Sequence, residues 1–151
     1  MKWVLGLVLA ALIAGPVAAA PPPVRIEAIQ VRLLVETTGE LSPNVAPPET
    51  FSGWNTIIGS EYGGPASDIL VSVVLKSVDE QENARLPLVI TVRTKAGKIL
   101  ARRTIPGVFL DKHTAVRSVL VPDATCEGEV TVVAVMGAQR KTNTIVMNCG
   151  E

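Results

Sequence analysis

The sequence predicts an all-β fold, an antiparallel sandwich of about seven or eight short strands, on three observations. Apolar and polar residues alternate with a period of two through most of the chain beyond its first residues. The alternating runs are rich in Val, Ile and Thr, and turn signals separate them. No stretch carries a convincing helical period.

The opening MKWVLGLVLAALIAGPVAAAPPP has the layout of a secretory leader: Lys2, an apolar run over residues 3–13, a Gly15-Pro16 break and a segment of small residues. The apolar run is too short to span a bilayer. Pro21 disfavours cleavage directly before it, so Val17-Ala18-Ala19 is the expected recognition triplet. Residues 1–19 are then removed, and residues 20–151 form a single domain. No cysteine follows the apolar run to accept a lipid anchor, and no later apolar stretch reaches spanning length. A periplasmic or secreted protein is expected, and the absence of an N-x-S/T sequon is compatible with a bacterial envelope.

In residues 24–35 the alternation changes phase, from Val24, Ile26 and Ala28 to Ile29, Val31, Leu33 and Val35, which predicts a β-bulge near Ala28. Residues 36–53 contain Pro43, Pro47 and Pro48 and read as a loop lying over a sheet edge. Trp54 to residue 58 is a short strand candidate. Ile69, Val71, Val73 and Leu75 form the inward set of a stronger one. Leu88, Ile90 and Val92 alternate up to Ala96-Gly97, after which Ile99, Ala101 and Ile105 resume, as in a hairpin. Residues 114–121 supply another strand. Residues 129–136 and 139–149 form the last hairpin, closed by Gly137-Ala138 as a two-residue II′-type loop. That register sets Met136 opposite Gln139 and brings Cys126 opposite Cys149. Two cysteines in an exported chain predict a disulfide, and a directly opposed pair suits its geometry.

This succession of short strands and turns resembles the immunoglobulin-like and fibronectin type III class of sandwiches over nearly all of residues 20–151. The resemblance implies an immunoglobulin-like fold and no function. Antibody domains join two facing sheets by their disulfide, whereas Cys126 and Cys149 join segments of one hairpin. The corner tyrosine is absent from PDATCEGE, residues 122–129. No site residue is carried over.

Catalysis has little to draw on. His113 is the one histidine, set between two strand candidates near Asp111, and reads as a surface loop residue; a hydrolase using it is the third-ranked reading. The chain lacks HExxH, CxxC and GxxxxGK[ST], so no metal or cofactor is expected. Acidic and basic residues balance at 14 each, which does not point to nucleic acid. Basic residues are nonetheless concentrated: no acid occurs between Glu82 and Asp111. If Ala96-Gly97 closes its hairpin, Arg93, Lys95, Lys98 and Arg102 share one face. That face suits an acidic envelope protein or an anionic envelope polymer.

A second candidate lies in GWNTIIGSEYGGPASD, residues 53–68. Trp54 is expected to plug one end of the sandwich. Glu61 and Tyr62 fall in turn chemistry, where a loop-borne tyrosine gains contact area at low entropic cost. The leading expectation is a monomeric, non-catalytic binding or adaptor module of the bacterial envelope. The alternative is an assembly component acting by strand-edge pairing, or β-augmentation.

Overall fold

The structure, a computed structural model, describes residues 23–47, 53–54 and 62–148. The expected leader, Glu61 and Cys149 lie outside these residues, as does the side chain of Trp54. The inward set Ile69, Val71, Val73 and Leu75 is completely buried on β3 (Ile69–Ser77). β1 (Val24–Leu33) and β8 (Thr114–Val121) pair with it on either side, both antiparallel. A second sheet is built from β2 (Gly53–Trp54), β5 (Leu88–Thr94), β6 (Ile99–Ile105), β9 (Glu129–Met136) and β10 (Gln139–Asn148). Its order is β2-β10-β9-β5-β6, antiparallel except for the short β2–β10 pair. Inward residues of the two sheets, including Val31, Val71, Val73, Ile90, Val92 and Val132, meet in one hydrophobic cluster. Among the described residues there is no α-helix, and no helix long and apolar enough to cross a membrane.

Most of the expected elements are present. The final hairpin has Met136 opposite Gln139, and its register runs unbroken to Glu129 opposite Val146. The Met147 amide donates to the Gly128 carbonyl at 2.9 Å, one step further along the same ladder. Beyond that point the chain leaves β9 for a single 3-10 turn, Ala124–Glu127, which holds Cys126. The bulge of β1 lies between Ile26 and Ala28, so Glu27 is the extra residue. Ala28 consequently pairs with Val74 on the outer face and does not share the inward side with Val24 and Ile26, a correction of one residue. The bulged Glu27 carboxylate bonds Arg25 Nε at 2.8 Å and lies 3.6 Å from Lys76 Nζ. The hydrogen bond from Arg25, with the charges of Arg25 and Lys76, holds its pKa below the ordinary glutamate value.

Two elements were not legible. β4 (Glu82–Ala84) and β7 (Val108–Leu110) pair as a separate ribbon that buries Ala84, Val108 and Leu110. Three residues each are too few to display a period. Ile99, expected inward, is 57% exposed. The Gly97 amide bonds the Thr94 carbonyl and the Thr94 amide bonds the Lys98 carbonyl, so the loop has three residues, with Gly97 at φ +89°. This sets Ile99 opposite the outward Arg93. A bulge between Arg93 and Val92 then restores the expected register, with Val92 opposite Ala101 and Thr91 opposite Arg102.

The open sides of the sandwich are closed by side chains bonded to main chain. Along the outer edge of β1, Gln139 of β10 accepts from the Ile26 amide at 3.0 Å and donates to the Val24 carbonyl at 2.8 Å. Lys141 Nζ donates to the Glu27 carbonyl. Further along, Asn44 Oδ1 accepts from the Val31 amide at 2.9 Å and Ser42 Oγ from the Leu33 amide at 2.9 Å. The Ser42 and Val45 amides return bonds to the Leu33 and Val31 carbonyls. The described part of the proline-containing loop, residues 36–47, therefore lies over this edge, with Val45 and Ala46 buried beneath it. On the opposite side, Arg103 of β6 donates to the Ser118 carbonyl of β8, and Arg117 to the Val116 carbonyl at 2.9 Å. Both bonds occupy acceptors that a sheet edge otherwise presents to another chain. Replacing Gln139 by Ala leaves the Ile26 amide and Val24 carbonyl without partners and is expected to destabilise the fold by roughly 1–3 kcal/mol. Urea unfolding of Gln139→Ala checks this; a change within about 0.5 kcal/mol, the range of neutral surface substitutions, contradicts it.

Candidate binding face

Antiparallel pairing sets directly opposed residues on one face, so the outer side of the larger sheet can be read rung by rung. Across β10, β9, β5 and β6, one rung is Arg140, Val135, Val89 and Thr104. The next is Thr142, Val133, Thr91 and Arg102, and the third is Thr144, Thr131, Arg93 and Ile99. The face is thus a field of Val and Thr bearing three arginines. Thr131 and Thr144 pair through their hydroxyls at 3.3 Å. Val133 is only 6% exposed although it lies on this outer side, because neighbouring side chains cover it.

Arg93, Arg102 and Arg140 border a shallow groove of about 320 Å³ whose floor is Val89, Thr91, Val133 and Val135. None of the three guanidinium groups is in an ion pair among the described residues. The expected basic face therefore divides in two. Arg93 and Arg102 are brought together as expected. Lys95 and Lys98 stay at the hairpin tip, where Lys95 pairs with Glu129 at 3.3 Å and Lys98 with Glu127 at 2.5 Å. Arg140, which sequence reasoning missed, takes their place. Its signal was available, because the two-residue turn that sets Met136 opposite Gln139 also sets Arg140 opposite Val135.

The second sequence-derived candidate is placed differently. Tyr62 is half-buried and packs against the hydrophobic cluster. The adjoining residues are fastened to the turn after β1: the Glu36 amide bonds the Pro65 carbonyl at 2.9 Å, and Glu36 Oε1 accepts from the Ser67 amide and hydroxyl. Gly64 is required by close approach, since a Cβ there would lie 2.4 Å from Thr37 Oγ1. Gly64 thus serves packing against residues 35–37, while Gly63, at φ +84°, serves the turn. Trp54 contributes backbone to the parallel pair with Asn148. Among the described residues, the groove and the Tyr62 segment share no lining residue.

His113 occupies a two-residue turn with Lys112, both at positive φ, closed by mutual backbone bonds of Asp111 and Thr114. This is the geometry of a type I′ hairpin turn, and it leaves the His113 side chain exposed. Among the described residues no group of three or more His, Cys, Asp or Glu side chains could hold a metal ion. A second concavity, about 360 Å³, opens at the Gly137-Ala138 end over Val24, Ala84, Leu86 and Met136. The outer face of the smaller sheet is mixed: Leu70 opposite Leu120 and Val74 opposite Val116 flank a Ser72–Ser118 hydrogen bond of 2.8 Å, and Gln30 and Arg32 of β1 continue the same rungs. Compared with models of known protein families and with curated proteins, the chain matches none.

Proposed function

We propose that the protein is an exported, non-catalytic binding module of the bacterial envelope, and that it binds an anionic partner on the outer face of its larger sheet. The observation that carries this reading is the convergence of Arg93, Arg102 and Arg140 on one groove without an acidic counterpart among the described residues. Unpaired like charges on neighbouring strands weaken a sheet slightly, and an oxyanion laid between them relieves that cost. The leader over residues 1–19 supports export to the periplasm or beyond. A monomer suits a module whose β1 and β8 edges already have side-chain partners; β6, at the end of the larger sheet, is the edge that the strand-addition alternative would use.

The fold supports an immunoglobulin-like assignment. Lettering the seven long strands A to G in chain order gives A, B and E in one sheet and C, F and G in the other, with the fourth strand beside C. The Cys126–Cys149 disulfide belongs to the same proposal: Cys126 lies in the 3-10 turn and not in the ladder that was expected to set it directly opposite Cys149, but the Met147–Gly128 bond brings the ladder to within two residues of each cysteine. Thiol titration of the denatured, unreduced protein should find no reactive cysteine; two equivalents would rule the bridge out.

Charge reversal of Arg93 and Arg102 to Glu tests the binding site. Binding of the purified domain to immobilised polyphosphate and to poly-glutamate should fall by at least tenfold in the double variant, and wild-type binding should weaken as salt rises. Undiminished binding by a folded double variant would refute the site.

A further inference from the structure

The proposed binding face also constrains what it binds, through the types of its cations, its floor and their spacing. All three cations bordering the groove are arginines, whose planar forks suit the paired oxygens of a carboxylate, while the lysines of the same hairpin are paired with Glu127 and Glu129 at the tip. The floor between the arginines is rich in valine, with Thr91 beside Arg102: Val133 and Val135 lie between Arg140 on one side and Arg93 with Arg102 on the other. A polyphosphate or uronic acid chain has nothing to bury on valines, whereas a peptide carrying both acidic and apolar side chains does. Strand spacing and rise set the scale. Arg93 and Arg102 are one strand and one rung apart, roughly 8 Å between Cα atoms, and Arg140 lies roughly 16 Å from each.

We infer that the groove receives an extended segment of a partner protein, with one carboxylate on Arg140, a second on the Arg93–Arg102 pair and an apolar side chain between them on Val133 and Val135. In an extended chain, residues four apart lie on the same side and span roughly 13 Å, and the long arginine stems close the remaining distance. The residue midway faces the same side and meets the valine floor. The recognised pattern is therefore acidic, any, apolar, any, acidic. This inference rests on the binding reading above and adds the ligand class.

The test uses capped peptides of identical composition, with serine at the neutral positions. One has two glutamates four residues apart and a valine midway. The other has its second glutamate moved by one residue, which turns that carboxylate to the opposite side. Amide chemical-shift titration of the full domain should show the first peptide binding about tenfold more tightly than the second, and Arg140→Ala should abolish the difference without unfolding the protein. Equal affinity for the two peptides, or a preference that survives Arg140→Ala, overturns the inference. If polyphosphate binds in an Arg93- and Arg102-dependent manner and neither peptide does, the binding face stands and the peptide assignment falls; if no anion binds, both fall.

Discussion

The fold depends on hydrogen bonds from side chains to main chain along the two open sides of the sandwich. A three-stranded sheet facing a larger one leaves its outer strands with amides and carbonyls that require partners, and burying them without partners costs more than a typical packing contact returns. Here Gln139, Lys141, Asn44 and Ser42 supply those partners along β1, and Arg103 and Arg117 do so along β8. Gln139 supplies both an acceptor and a donor, to the Ile26 amide and the Val24 carbonyl. Gln139 and Lys141 together therefore tie β10 to β1.

This stitching has a functional corollary. Inward-facing cations and covered edges are ways in which sheet proteins prevent unwanted strand addition. With β1 and β8 occupied in this manner, the smaller sheet offers partners its broad face and not its edges, while β6 remains an edge of the larger sheet. The two faces differ in where their cations lie: the smaller sheet presents Leu120 and Val116 with Gln30 and Arg32 at its β1 side, and the larger one presents Arg93, Arg102 and Arg140 among Val and Thr. The Glu127 and Glu129 pairs draw Lys95 and Lys98 to the hairpin tip and so leave the groove bordered by arginine alone.

Much of this was legible in the sequence, and what was missed has definable causes. Period-two alternation located β3, β5 and β9 because their inward residues are fully buried and nothing else competes for them. The Gly137-Ala138 turn fixed a register that the structure retains. The Ala96-Gly97 turn misled locally, because a three-residue loop followed by a bulge moves Ile99 to the other side before the register recovers. β4 and β7 are too short to carry a pattern. The glycine-rich signal around Tyr62 is ambiguous in sequence because glycine marks both turns and close approaches, and the described residues hold one of each: Gly63 at positive φ and Gly64 against Thr37, a contact set by tertiary packing. The arginine groove was half legible: the face of Arg93 and Arg102 follows from one hairpin, but Arg140 joins it only once β9 is known to lie between β5 and β10.

Amide hydrogen exchange tests the closure of the sandwich most directly. The Ile26, Val31 and Leu33 amides lie on the outer edge of an edge strand, where unpartnered groups exchange rapidly. If Gln139, Asn44 and Ser42 hold them as described, they exchange as slowly as the central amides of β3, such as Val71 and Val73. Exchange at the rate of the exposed turn amide of Lys112 would contradict the account.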